Sequence, residues 1–423
     1  MRLRMLSKSL PLAAAAVAAS CRDSTAPLPA TAIVAIGAGS FHTCAIRASG
    51  LTLCWGDDSN MQLGRGLVSL DTSLVPAAVA GGYLFARVDG GEGHTCALTR
   101  DGQPYCWGNP YEMGFQGTLA SPPVPEPVSG GLAFVMLGVR AFRTCGLTAG
   151  GATYCWGEGT GSALPAASGG TVQVAKLSTG DNGACGVSAA GQAYCFGSNE
   201  FGELGNPGAA RETSAFVPVS GGLTWDSLAM GNIHVCGIAA QGAVYCWGNN
   251  LQGQIGRDTS VQGSGVPVLL PGGLRFRVIT AGAHHTCGIT TAGDAYCWGY
   301  NYFGQLGATT TEMCPGLAAI PVPCSHVPVP VSGGARYVAL EAGDWHTCGL
   351  TARGELWCWG ANIRGELGNG TLAGSNTPVP VSTQPQADRM VARSAVPPMQ
   401  GIGGPRLPDD AHLKRFFLRQ GQR

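Results

Sequence analysis

The stretch His94-Thr95-Cys96-Ala97-Leu98-Thr99-Arg100-Asp101-Gly102-Gln103-Pro104-Tyr105-Cys106-Trp107-Gly108 recurs seven times, with its first cysteine at 44, 96, 145, 185, 236, 287 and 348. A glycine stands six residues after that cysteine in every copy, at Gly50, Gly102, Gly151, Gly191, Gly242, Gly293 and Gly354. Arg100-Asp101-Gly102 reads as a three-residue hairpin loop with Gly102 left-handed, as such loops favour. Thr99 then faces Gln103, Ala97 faces Tyr105 and Cys96 faces Cys106. Residues directly opposed in an antiparallel pair lie within disulfide reach. The register therefore predicts seven cross-strand disulfides: Cys44–Cys54, Cys96–Cys106, Cys145–Cys155, Cys185–Cys195, Cys236–Cys246, Cys287–Cys297 and Cys348–Cys358. Zinc is the rival reading of so much cysteine. It favours close-spaced ligand pairs, and no C-x₂₋₄-C occurs in the chain, so no metal and no cofactor are expected.

The rest of each unit follows outward from the hairpin. Before it comes a short apolar strand ending in glycine, as at Ala32–Gly37, Phe85–Gly90, Arg277–Gly282 and Tyr337–Gly343. After it come Trp-Gly, a polar loop with Gly-x-Leu-Gly, and a strand marked by Pro-Val, as in Pro76–Val79, Pro218–Val219 and Pro378–Val381. That is four short antiparallel strands per unit, about 28 in all. The spacing of the copies centres near the ~50 residues of a propeller blade. One blade cannot bury both faces, so blades must stack, and closure into a ring hides most strand edges. The fold expected is all-β, a seven-bladed propeller over 31–383.

His-Thr-Cys-Ala-Leu, then Gly-x-x-Tyr-Cys-Trp-Gly, then Asn-x-x-Gly-Gln-Leu-Gly resembles the regulator of chromosome condensation repeat. The best matches are His285–Gly307 and His346–Gly368. The resemblance covers about five-sixths of the chain and itself implies a seven-bladed propeller. Copy 3 departs by lacking the Gly-x-Leu-Gly loop, and copy 4 has Gly183 for histidine and Phe196 for tryptophan, so blade 3 is expected to be trimmed. An insertion, Ala308 to His326, precedes the last copy and carries an eighth pair, Cys314–Cys324.

Charged residues make up 12% of the chain, and the formal net charge is zero. Residues 31–383 hold 14 basic and 21 acidic residues, a net −7, with Lys176 their one lysine. A body that grips phosphates needs a basic face, so nucleic acid is not expected as a partner. Three positive charges, Arg2, Arg4 and Lys8, precede an apolar run from Ser9 to Ala19. That order reads as a secretory signal over 1–20, too short to span a membrane. Val17-Ala18-Ala19-Ser20-Cys21 resembles a bacterial lipoprotein cleavage box, which would leave Cys21 lipidated and 21–30 as an anchored linker. Removing Cys21 leaves 16 cysteines in eight pairs, as an oxidising compartment favours. The tail, 384–423, has linker composition and a basic, apolar end, Ala411 to Arg419. It reads as disordered.

Candidate chemistry is sparse. Histidine recurs two residues before the first cysteine, at 42, 94, 234, 285 and 346. Repetition in blade after blade marks a scaffold residue rather than a ligand, and the same holds for the tryptophan of Trp-Gly. Gly-x-Leu-Gly lacks the Lys and Ser/Thr of a phosphate loop, and no serine stands in Gly-x-Ser-x-Gly. Asp344 and Glu341 beside Trp345 are candidate acids that nothing singles out, so no catalytic residue is assigned. The expectation is a monomeric, non-catalytic propeller in the cell envelope, lipid-anchored, binding a protein or envelope ligand. Its contact loop is placed in the insertion, at Met313, Leu317 and Ile320. The alternatives are an enzyme acting on an envelope polymer at the channel mouth, and the guanine-nucleotide exchange that the resemblance implies.

Overall fold

In the computed structural model, residues 27–67, 72–113, 121–157, 160, 162–316 and 320–382 are described. Residues 1–20, expected to be a signal, Cys21, Leu317 and the tail lie outside them. The described residues form seven antiparallel sheets. Each is built from one contiguous stretch of chain, in simple order from first strand to fourth. Blade 2, for example, comprises Phe85–Gly90, His94–Thr99, Pro104–Gly108 and Glu126–Pro127. The repeat arithmetic of four strands per blade holds, with one addition. Blade 6 has a fifth strand, Glu312–Cys314, paired to the outer side of its fourth, Val322–Pro330. Among the described residues no helix is long and apolar enough to cross a membrane.

The hairpin register is the one expected. Cys96 opposes Cys106, Ala97 opposes Tyr105, and the Thr99 N–H donates to the Gln103 carbonyl at 3.1 Å. Gly102 has φ +85°, and the six equivalent glycines lie between +78° and +95°. All eight predicted disulfides are present. The seven in the blades hold Cα atoms 4.0–4.1 Å apart, each pair directly opposed. Cys314 instead opposes Val322, one step diagonal to Cys324, and that pair spans 5.8 Å.

Two expectations need correcting. The fourth strands begin earlier than their Pro-Val marker, at Ser73, Glu212 and Ser375. The reason is a bulge: Gly56 pairs with Ser73 and Cys54 with Ala77, so Leu74, Val75 and Pro76 lie opposite Trp55 alone. Proline lacks an N–H, so a bulge on an outer strand is where it does least harm. The Ser73 hydroxyl donates to the Val75 carbonyl at 2.7 Å and fixes the kink. Blade 3 is shortened in its loop, not in its sheet: Ser162–Ser168 follows Thr153–Gly157 directly and completes four strands.

Apolar side chains meet between blades, not within a central core. One such cluster joins Cys287, Ile289 and Cys297 of blade 6 to Tyr337, Leu340 and Trp359 of blade 7. Another joins Ile36, Ala45, Leu53 and Trp55 of blade 1 to Leu350, Leu356 and Leu367 of blade 7. The ring thus closes by the kind of apolar contact that joins the other neighbours, and among the described residues no strand is exchanged across the seam.

Candidate functional site

The repeated polar residues are consumed by the junctions between blades. The Gly-x-Leu-Gly loop of one blade wedges against the next and offers a backbone carbonyl to it. At the junction of blades 6 and 7 that carbonyl is Gln305 O. It accepts the Trp359 indole N–H at 2.9 Å and the Thr347 hydroxyl at 3.0 Å. His285 Nε2 lies 2.9 Å from the Thr347 oxygen. Because the hydroxyl proton is given to the carbonyl, Nε2 carries the proton and donates to threonine. The same arrangement joins His42, Thr95, Trp107 and Gln62 O, then His234, Thr286, Trp298 and Gln254 O, and across the seam His346, Thr43, Trp55 and Glu366 O. Burial holds these rings neutral. It lowers His42 and His234 to about 3 and His346 to about 4. The histidines are therefore hydrogen-bonded scaffold, as expected. Threonine, present in the quoted phrase, is the partner that sequence reasoning missed.

Three junctions lack part of this set. Between blades 4 and 5, Gly183 stands for histidine and Val235 for threonine, while Trp247 still donates to Glu203 O at 2.7 Å. Between blades 3 and 4 there is no wedge loop, and Arg143, Ala184 and Phe196 replace all three side chains. Phe196 instead packs on Phe216 with ring centroids 4.9 Å apart. Between blades 2 and 3 a helical turn, Pro110–Met113, replaces the loop. Met113 fills the apolar position there, and Glu112 Oε2 takes His94 Nδ1 at 2.7 Å. The Trp156 indole N–H is left without a partner.

The first strands line the axis, where they enclose a cavity of about 200 Å³. Three of its lining side chains are ionisable: Asp89, Arg140 and Glu341. Asp89 accepts the Gly90 and Val139 N–H groups at 2.9 and 3.0 Å. Arg140 donates to the Ala281 carbonyl and lies 3.6 Å from Asp344. Burial raises Asp89 to about 6, against the pull of those N–H groups and of Arg140. Burial and then the Asp89 carboxylate raise Glu341 to about 8, so it is mostly protonated at neutral pH. The structure thus brings Glu341 and Asp344 together with Asp89 and Arg140. No repeat signal flagged Asp89, Arg140 and Glu341, because the first strands of three different blades contribute them where most copies carry uncharged residues.

One region departs from the repeat and stays partly exposed. On blades 6 and 7, Trp345 lies 5.6 Å from His284 and 5.7 Å from both Tyr300 and Phe303, and Tyr302 sits 5.1 Å from Phe303. Burial lowers His284 to about 4 and pushes the Tyr300 phenol up. Asp344 is the neighbour of Trp345 in sequence, which puts the cluster beside the axial charges. The insertion rises from the same blade, with Met313 54% and Ile320 49% exposed.

Comparison with known proteins agrees with the geometry. The regulator of chromosome condensation (RCC1) repeat matches residues 33–62, 85–112, 174–203, 225–254, 276–305 and 337–366, and a second form of it matches 241–289, 292–350 and 353–395. The ultraviolet-B receptor UVR8 of Arabidopsis thaliana is 29% identical over 180 residues, 41% of this chain and 38% of that one. The chain thus spans well under half the length of that relative. Yeast RCC1 (Prp20), solved bound to Kap60, superposes with a TM-score of 0.69 at 18% identity, over 90% of each chain. Prp20p from Saccharomyces cerevisiae, described with its binding properties to Gsp1p and histones, gives 0.69 at 19% identity over 84% and 87%. The chain belongs to the regulator of chromosome condensation repeat family.

Proposed function

We propose that the chain is an exported propeller, lipid-anchored at Cys21 in the cell envelope, that binds a protein partner without catalysis. The observation that carries the reading is the division of labour among its polar and aromatic residues. The repeated His, Thr and Trp are spent on junctions, while the clustered aromatics Tyr302, Phe303 and Trp345 remain partly exposed on blades 6 and 7, and Met313 and Ile320 are exposed on the insertion of blade 6. Exposed apolar and aromatic clusters mark contact sites. Eight disulfides fit an oxidising compartment, and solved relatives are described with protein partners.

Enzymatic action is the second reading, since Asp89 and Glu341 form a carboxyl pair with separated pKa values. A cavity of about 200 Å³ falls below the ~300–1,000 Å³ of ordinary ligand pockets, which argues against a polymer there. Exchange on a GTPase fits poorly with an exported, acidic body. The test is crosslinking in the native envelope followed by purification. Trp345→Ala with Tyr302→Ala should lose the captured protein while keeping the fold, and Cys21→Ser should lose a fatty-acid label. Capture unchanged in the double variant rejects the aromatic face. A native protein that begins beyond Cys21 rejects the anchor.

A further inference from the structure

We propose that the hairpin on the outer edge of blade 6 is a redox-gated zinc site formed by Glu312, Cys314, Cys324 and His326. Glu312–Cys314 pairs antiparallel with Val322–Pro330, and Glu312 stands directly opposite Cys324. The Glu312 carboxylate and the two sulfurs lie within 4.8 Å of one another. His326 Nδ1 hydrogen-bonds the Glu312 carboxylate, whose other oxygen accepts the His326 backbone N–H at 3.0 Å. Three groups from two paired strands therefore converge, and His326 joins them through Glu312. A tetrahedral zinc with bonds of about 2.0–2.3 Å sets its ligands about 3.3–3.8 Å apart, so the Glu312 carboxylate needs to close by about 1 Å while the two sulfurs, bonded in the disulfide, move apart once it is reduced and His326 swings in beside Glu312. Two thiolates, an imidazole and a carboxylate are donors that zinc accepts.

Among the described residues this is the one grouping of its kind. The seven blade disulfides lie between central strands and under the neighbouring blade. The eighth ties a three-residue edge strand, and the side chains of His326 and Glu312 beside it are 34% and 31% exposed. Cys314 and Cys324 are themselves buried, at 1% and 0%, so a reductant reaches them when the edge strand opens, and edge elements open at lower free energy than the sheet centres that hold the other seven pairs. The donor set is closed while the disulfide stands, because a disulfide sulfur carries no charge and binds zinc poorly. A dithiol reductant gives two electrons and two protons. The S–S bond breaks to two thiols as the reductant becomes its own disulfide. Zinc then displaces one proton from each thiol to water and takes the neutral imidazole and the carboxylate. Oxidation by a disulfide acceptor reverses both steps and releases the ion. The site is independent of the partner-binding reading and would give the insertion two stable states.

The test uses the full chain, reduced without denaturant until two thiols per chain appear, with the thiols located by peptide mapping. Cobalt(II) is the spectroscopic probe and zinc the competitor. The thiols should map to 314 and 324. The reduced protein should bind one cobalt with thiolate charge-transfer and tetrahedral bands that zinc abolishes, and the oxidised protein should bind none. Cys314→Ser with Cys324→Ser should remove binding. His326→Ala, which keeps the disulfide and the strand pair, should weaken it by at least the roughly tenfold lost with an outer-shell partner alone. Two free thiols at 314 and 324 with no cobalt spectrum overturn the proposal. So does equal binding by the double serine variant, or first reduction at a blade pair such as Cys96–Cys106.

Discussion

The junction of blades 6 and 7 and that of blades 3 and 4 share a backbone arrangement and almost no side chains. The first joins His285, Thr347 and Trp359 to one carbonyl of a wedge loop. The second has no loop, and Arg143, Ala184 and Phe196 stand in its place. A buried threonine or indole whose acceptor has gone leaves an unmet donor costing about 1–3 kcal/mol, so the donors leave with the loop. The junction of blades 4 and 5 separates the two halves. There Gly183 and Val235 have replaced the histidine and threonine together, while Trp247 and its carbonyl remain. The polar set is therefore not one indivisible motif: histidine and threonine are kept or lost together, whereas tryptophan keeps its carbonyl without them between blades 4 and 5 and persists without a carbonyl as Trp156 between blades 2 and 3.

The largest expected effect is on pH. His42 and His234 are held at about 3 and His346 at about 4 against an ordinary 6.5. The unfolded chain takes up protons that the folded chain refuses. Stability is thus full above pH 6.5 and is lost as pH falls toward 3, by several kcal/mol over these three rings. Urea midpoints measured from pH 7 to pH 4 check this, and His234→Gln, which can still donate to Thr286, should flatten the acid limb. An unchanged limb would mean that the rings are not neutral donors.

Next come the tryptophans. Trp359→Phe should cost about 2–4 kcal/mol through lost volume and a lost hydrogen bond. Trp156→Phe should cost about 1–3 kcal/mol less, because its N–H already lacks a partner. Equal losses in chemical denaturation would erase the distinction between junctions. A third effect is on the order of 2 kcal/mol. Burial raises Glu366 to about 8 from an ordinary 4.5, so its contribution is full below pH 4.5 and is lost as pH rises through 8. Glu366→Gln copies Gln62, Gln254 and Gln305 of the equivalent loops. It should be neutral at pH 4 and stabilising at pH 8. The smallest effect is the coupling itself. A cycle of His285→Gly and Thr347→Val should show an interaction of about 1 kcal/mol, and additive losses would dissolve the pair that blades 4 and 5 suggest.

The hairpin was legible because its evidence is local. A loop glycine at fixed offset and two cysteines equidistant from it leave one register, and Gly102, Cys96 and Cys106 occupy it. The histidine–threonine pair is 50 residues or more apart in sequence, and only its joint loss at Gly183/Val235 and Arg143/Ala184 betrays it in one chain. The axial charges were not legible. Asp89 and Glu341 share one repeat position, opposite the first cysteine of blades 2 and 7, where the other five blades carry Gly37, Gly138, Ser178, Ala229 and Thr280, and Arg140 stands where every other copy has glycine, so periodicity averages them away. The insertion was read as a stapled lobe with Met313 and Ile320 exposed, and they are. That its two arms pair, Glu312 on the edge strand and His326 on the fourth, depends on a pairing that the loop's composition does not encode.

The seam between blades 7 and 1 is chemically ordinary: His346 meets Thr43, Trp55 meets Glu366 O, and Ile33 N–H reaches Gly354 O at 3.1 Å. Among the described residues no sheet borrows a strand from the far end of the chain. The ring accordingly has no privileged starting blade. A circular permutant that joins blade 7 to blade 1 and opens at a Gly-Gly connection such as Gly272-Gly273 would rebuild the same seven sheets from intact modules. Growth of such a ring by duplicating or deleting one whole repeat never requires a strand to find a new partner.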